Sequence, residues 1–160
     1  NYKSHEEVVC DSYSTETAIS RLKMALLCTV TKAGKESEIG NICLKIDWLY
    51  QDLADELDEN SSDYENKKEN YLAEAHNFAM NAYEHLSKAR MEEAFPIAGM
   101  NETTLDYLLS YLGYVKGEYQ TAMQYLSGVV STRGISPRLK DKCLELKELL
   151  NQKLHASADQ

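Results

Sequence analysis

Two stretches of this chain carry related apolar spacing 47 positions apart, Ala75-x-x-Phe78-Ala79-x-x-Ala82-Tyr83 and Ala122-x-x-Tyr125-Leu126-x-x-Val129-Val130. A small residue followed by apolar ones at plus three, four, seven and eight lays one stripe along a helix. Each copy therefore reads as the second helix of a helix-turn-helix repeat. A single such unit cannot bury its apolar face alone, so neighbouring helices must complete the core. Repeats of this kind build binding scaffolds.

The rest of the chain agrees with a helical fold. With 160 residues, 43% hydrophobic and 27% charged, it has the size of one globular domain. Only two prolines and seven glycines interrupt a composition rich in Leu, Ala, Glu and Lys, which disfavours a sheet and predicts an all-α fold. The formal net charge of −9 argues against nucleic acid as a partner, because binding a phosphate backbone needs clustered Lys and Arg. No apolar run reaches the roughly 18 to 20 residues of a membrane span, and the first residues lack a signal peptide's apolar core. No membrane contact and a cytoplasmic location are the expectation. Cys10, Cys28, Cys43 and Cys143 form no C-x-x-C pair, and the last three sit among helical apolar positions. They are expected to be buried free thiols in a reducing compartment. The chain opens on Asn1 rather than Met, as expected of a piece of a longer protein.

Six helices follow from the periodicity. The first starts near Ser14, carries Ile19, Leu22, Leu26 and Val30, and stops at Gly34. The second holds Ile39, Ile42, Ile46, Leu49, Leu53 and Leu57, with Cys43 and Tyr50 widening its stripe. After the polar run Asp58 to Asp63, Ser62-x-x-Glu65 has capping-box spacing for a third helix through Tyr71, Ala75, Phe78, Ala82 and Leu86. Pro96 and Gly99 place a loop at residues 92–102 before a fourth helix on Leu105, Leu108, Leu109 and Leu112. Gly117-Glu118-Tyr119 forms a corner into the fifth, and Ser136-Pro137 starts the sixth, which runs on Leu139, Cys143, Leu146 and Leu150. Residues 1–14 read as an N-terminal tail and 156–160 as a frayed end, around one helical domain spanning 1–160.

Leu109, Gly117-Glu118-Tyr119, Ala122 and Val129 follow the spacing of a tetratricopeptide repeat, which pairs two helices over 34 residues. Asp106 stands where that template has a large aromatic, Ser110 where it has Gly, Gly113 where it has Tyr and Val129 where it has Ala. Equating Leu49 with Leu112 gives the first repeat a longer hairpin, with 26 positions from Leu49 to Ala75 against 10 from Leu112 to Ala122. That difference predicts a projecting arm. The expected architecture is a set of antiparallel helical hairpins in a tetratricopeptide-like right-handed superhelix, with the first and sixth helices as caps. The stretch Ala18-Ile19-Ser20-Arg21-Leu22-Lys23-Met24-Ala25-Leu26-Leu27-Cys28, followed by Ile46-Asp47-Trp48-Leu49-Tyr50, resembles an uncharacterised bacterial family, a domain of unknown function. The resemblance runs from about Thr17 to Leu150. It implies a tetratricopeptide-like helical half, preceded in members of that family by a cysteine-rich, zinc-binding N-terminal segment. The cysteine pairs of that segment have no counterpart here, so the resemblance puts metal chemistry upstream. It implies no known activity.

Tyr107, Tyr111 and Tyr114 are spaced four and three apart on one helix face, rotated away from the leucine stripe. In repeats of this class such first-helix positions line the groove where partners dock, and under the Leu49 alignment Trp48 falls at the position of Tyr111. These four rings suit interface anchoring. The competing reading is ordinary core under the sixth helix or the long loop. Eight acidic residues between Asp52 and Glu69 make the hairpin tip negative, either attracting a basic partner or forming a solvated, self-repelling tip. Asp58, Asn60, Ser62, Tyr64, Asn66 and Glu69 match the spacing of a calcium loop, but Asp63 replaces its obligatory Gly. His5-Glu6 begins a zinc-protease signature that Val9 breaks at the second His position. His76, His85 and His155 are scattered along helices, and Cys28 and Cys43 have nothing nearby in sequence to lower their pKa.

No reaction is named by these residues: no catalytic residue, metal or cofactor is expected, and the chain reads as a non-enzymatic protein- or peptide-binding scaffold. Self-association into a homo-oligomer is compatible with this reading. The alternative is a regulatory or dimerising helical attachment to a metal-binding or catalytic segment outside this chain.

Overall fold

The computed structural model of the chain describes residues 5–158, and the side chains of residues 13–156. Among the described residues there are six helices: α1 His5–Thr31, α2 Glu36–Asp55, α3 Tyr64–Glu92, α4 Glu102–Lys116, α5 Tyr119–Val130 and α6 Pro137–Ala158. No strand occurs among the described residues, so the protein is all-helical. None of the described helices is long and apolar enough to cross a membrane. The chain divides within α3 into two compact units, Asn1–Leu86 and Ser87–Gln160.

In the first unit, Ile19 of α1, Ile46, Tyr50 and Leu53 of α2 and Ala75 of α3 form a buried cluster, lined further by Leu22, Leu26, Tyr71 and Phe78. Tyr50 organises it. Its ring lies 6.1 Å from that of Phe78 and 6.2 Å from that of Tyr71, and its hydroxyl accepts a hydrogen bond from Lys23 Nζ at 2.6 Å. Buried Tyr hydroxyls need such a partner, and the lysine also sits 5.1 Å above the Tyr50 ring.

The second unit packs α4 on α5 and α5 on α6. Its cluster comprises Ala122, Leu126, Val129, Cys143, Leu146 and Leu150. Between α4 and α5, Ser110 is fully buried and its Oγ donates to the Ala122 carbonyl at 2.7 Å. A small side chain here lets the two backbones approach, and its hydroxyl finds an acceptor on the other helix. Arg90 of α3 joins this unit through Asp106, with Nε donating to Oδ1 at 2.9 Å, and through Glu102, with Nη2 donating to Oε1 at 2.9 Å. The hydrogen bond donated to Asp106, more than that carboxylate's nearby charge, raises the guanidinium pKa.

Element ends follow local chemistry, with corrections to the sequence expectations. Ser136 caps α6, its Oγ accepting from Leu139 N at 3.2 Å, with Pro137 as first helical residue. Gly117 closes α4 at φ 94, a left-handed conformation that favours glycine. Helix α1 begins at His5, ahead of the expected Ser14. At its other end the left-handed residue is Ala33, at φ 53, one position before Gly34. Gly34 is needed for room instead: its amide donates to the Thr29 carbonyl at 2.8 Å, and an added Cβ would fall 2.5 Å from Thr29 Cγ2. Helix α3 begins at Tyr64, so Asp63 rather than Ser62 precedes its first turn. Asp63 accepts from the Ser61 hydroxyl and pairs with Lys67 at 3.1 Å. Both contacts, the Ser61 bond first, lower its carboxyl pKa.

Burial corrects two further expectations. Val30 and Val130, assigned to apolar stripes, are exposed. Cys43 and Cys143 are buried free thiols, but Cys28 is exposed. The side chains of His5, Glu6, Val9 and Cys10 lie outside the described residues, as do residues 1–4 of the expected tail and residues 159–160 of the expected frayed end.

Candidate functional site

Helix α4 buries Leu105, Asp106, Leu109, Ser110, Leu112 and Gly113. This leaves the three tyrosines on a flank that the neighbouring helices cover unevenly. Tyr107 is half-buried against the α5–α6 cluster that contains Cys143, and this burial raises its phenol pKa. Tyr114 is half-buried beside Tyr119, the two rings 6.0 Å apart and tilted by 50°. Tyr111 is 46% exposed. Of the three rings expected to face a partner, Tyr111 is the one most open to solvent, while Tyr107 and Tyr114 pack against the α5–α6 cluster.

In the other unit, Trp48 is 51% exposed on α2. Its surroundings repeat those of Tyr111. Ile46 and Asp47 are buried immediately before Trp48, as Leu109 and Ser110 are immediately before Tyr111. Asp47 is only 4% exposed and accepts from Gln51 Nε2 at 2.9 Å. Burial raises its carboxyl pKa, partly offset by the Gln51 bond and by the charge of His76. Each aromatic ring thus stands on a rigid helix beside a buried polar group.

Burial pushes the Cys43 thiol up to about 11 and raises that of Cys143, the opposite of what a nucleophilic cysteine requires. His85 pairs through Nδ1 with Glu36 across α2 and α3 at 2.5 Å, while His76 and His155 are exposed. Among the described residues, no three His, Cys, Asp or Glu side chains converge to hold a metal ion. Of the calcium-loop spacing, Asp58, Asn60 and Ser62 fall in the connector before α3, whereas Tyr64, Asn66 and Glu69 lie on α3 itself, so the six positions do not share one loop. A cleft of about 300 Å³ lies between the start of α4 and the end of α5, lined by Asn101, Glu102, Asp106 and Thr132 among others. Sequence reasoning did not anticipate this cleft or the Arg90 ion pairs beside it. The one signal was an acidic residue, Asp106, where the repeat template has an aromatic.

Residues 1–150 match the family described as "Uncharacterized protein conserved in bacteria (DUF2225)". No curated protein and no solved structure matches the chain.

Proposed function

The chain belongs to this bacterial family, and from that premise we propose that it is a non-catalytic, tetratricopeptide-like scaffold that binds a protein or peptide, with Trp48 and Tyr111 as aromatic anchors. One observation carries the reading: at aligned positions of two helices, a half-exposed aromatic ring directly follows two buried residues. Rings held this way offer large contact area at little cost in side-chain entropy, the usual property of interface hot spots. The repeat character is supported by the Gly117 corner, by the buried template positions Leu109, Ala122, Leu126 and Val129, and by Ser110 at the small-residue position between α4 and α5. Free thiols favour the cytoplasm as its compartment.

The reading is tested by affinity capture from a bacterial lysate with wild type, Trp48→Ala, Tyr111→Ala and the double variant, each with unchanged circular dichroism. A protein retained by wild type and lost from the double variant supports it. Identical capture by all four baits removes both rings from the binding surface.

A further inference from the structure

Helix α1 carries a second stripe that its own core does not use. Ile19, Leu22 and Leu26 face the Tyr50 cluster. On the opposite side Tyr13, Thr17, Ser20, Met24, Leu27 and Thr31 follow one another at alternating steps of four and three, the period of a coiled-coil seam. Tyr13, Met24 and Leu27 are 72%, 71% and 65% exposed, and no residue of the seam is charged. The Thr17 hydroxyl donates to the Tyr13 carbonyl at 2.9 Å, and that of Thr31 to the Leu27 carbonyl at 2.9 Å. Burying this face would therefore leave neither threonine donor unmatched.

We propose that two copies of the chain pair through this face, α1 against α1, in antiparallel orientation. The seam is symmetric about position 22: Ser20 and Met24 lie two positions either side of it, Thr17 and Leu27 five, and Tyr13 and Thr31 nine. A twofold axis there sets Ser20 of each copy against Met24 of the other, Thr17 against Leu27 and Tyr13 against Thr31, with the small serines flanking the axis. Charge selects the orientation. Within α1, Glu6, Glu7, Asp11 and Glu16 precede Ser20, while Arg21, Lys23, Lys32 and Lys35 follow it in the helix and the turn beyond. No Lys or Arg lies between His5 and Ser20, and no Asp or Glu between Arg21 and Lys35. Antiparallel pairing lays acidic half against basic half twice; parallel pairing sets like charges together. This local complementarity offsets the repulsion between two chains of net charge −9. Neither Trp48 nor Tyr111 takes part, so the inference stands apart from the peptide-docking reading.

Sedimentation equilibrium at up to about 100 µM, a range that populates a dimer of micromolar Kd, tests it. Twice the 18.2 kDa of one chain is expected, with association weakening as salt rises. Met24→Glu/Leu27→Glu and, separately, Ser20→Lys should each weaken the dimer at least tenfold without loss of helical signal, whereas Tyr111→Ala should not. In a Cys10→Ser/Cys28→Ser background, Thr17→Cys mixed with Leu27→Cys should form an interchain disulfide that neither variant forms alone. A monomeric wild type, a dimer that survives the seam variants, or Leu27→Cys cross-linking to itself would each overturn the proposal.

Discussion

Replacing Gly40 by alanine and replacing Gly128 by alanine should shift stability in opposite directions. Both glycines are helical, Gly40 in α2 and Gly128 in α5. Alanine gains up to about 1 kcal/mol over glycine inside a helix, less toward an end. For Gly128 nothing opposes that gain, because an added Cβ meets no atom within 4 Å. For Gly40 the Cβ would fall 2.7 Å from Leu86 Cγ, 2.9 Å from its Cδ2 and 3.2 Å from its backbone nitrogen. Leu86 is fully buried on α3, and its Cγ is the branch point of the side chain, so relief requires α3 to shift. Overpacking of this kind costs about 1–3 kcal/mol and outweighs the propensity gain. Urea denaturation followed by circular dichroism should place Gly128→Ala about 0.5–1 kcal/mol above wild type and Gly40→Ala about 1 kcal/mol below it. Leu86→Ala alone should cost about 2–5 kcal/mol. On that background Gly40→Ala should become neutral or stabilising, since the Cγ and Cδ2 it strikes are gone, giving a coupling of about 1–3 kcal/mol. A Gly40→Ala variant as stabilised as Gly128→Ala would refute the close α2–α3 contact.

Three further outcomes follow from the same geometry. Brief iodoacetamide treatment of native protein, mapped by mass spectrometry, should modify exposed Cys28 and spare buried Cys43 and Cys143 until the chain is unfolded. Cys43 rises from 9.0 to about 11 on folding, so between those values the native state holds a proton that the unfolded state has released. Its stability contribution is therefore complete below pH 9 and lost as pH climbs toward 11; Cys43→Ala should flatten the alkaline fall in stability relative to wild type, and equal slopes would contradict the burial. Ala33→Gly should stabilise the chain by about 1 kcal/mol in the same denaturation assay, because it relieves a left-handed alanine at φ 53.

Much of the helix layout was legible in the sequence because its punctuation is chemical. Ser136-Pro137, Gly117 and the Pro96 to Gly99 loop act through hydroxyl caps, left-handed backbone and a missing amide, and each operates where it was expected. Steric details within a turn were not legible. The exchange of roles between Ala33 and Gly34 depends on where Thr29 Cγ2 sits, and the start of α3 at Tyr64 left Ser62 outside the capping position. Periodicity also tells which residues share a helix face, not whether a neighbour covers it. For that reason Cys28 and Val30 were misread as covered, while Tyr107, Tyr111 and Tyr114, equivalent in spacing, differ in exposure according to the reach of α5 and α6. The long second and third helices were anticipated, with 20 and 29 residues against 15 and 12 in α4 and α5. The Arg90–Asp106 pair was not, since nothing in local spacing joins residues on different helices.

Trp48 and Tyr111 are proposed as anchors, and calorimetric titration of the captured partner, once purified, tests this proposal. Wild type should be compared with Trp48→Ala, Tyr111→Ala and a control, Met91→Ala, whose side chain is 85% exposed on α3. Loss of affinity of at least about tenfold for one or both aromatic variants, equal to about 1.4 kcal/mol or more, with the control unchanged, is the predicted result. Affinities for all four proteins that agree within about a factor of two, a difference of about 0.4 kcal/mol, would show that neither ring anchors the partner.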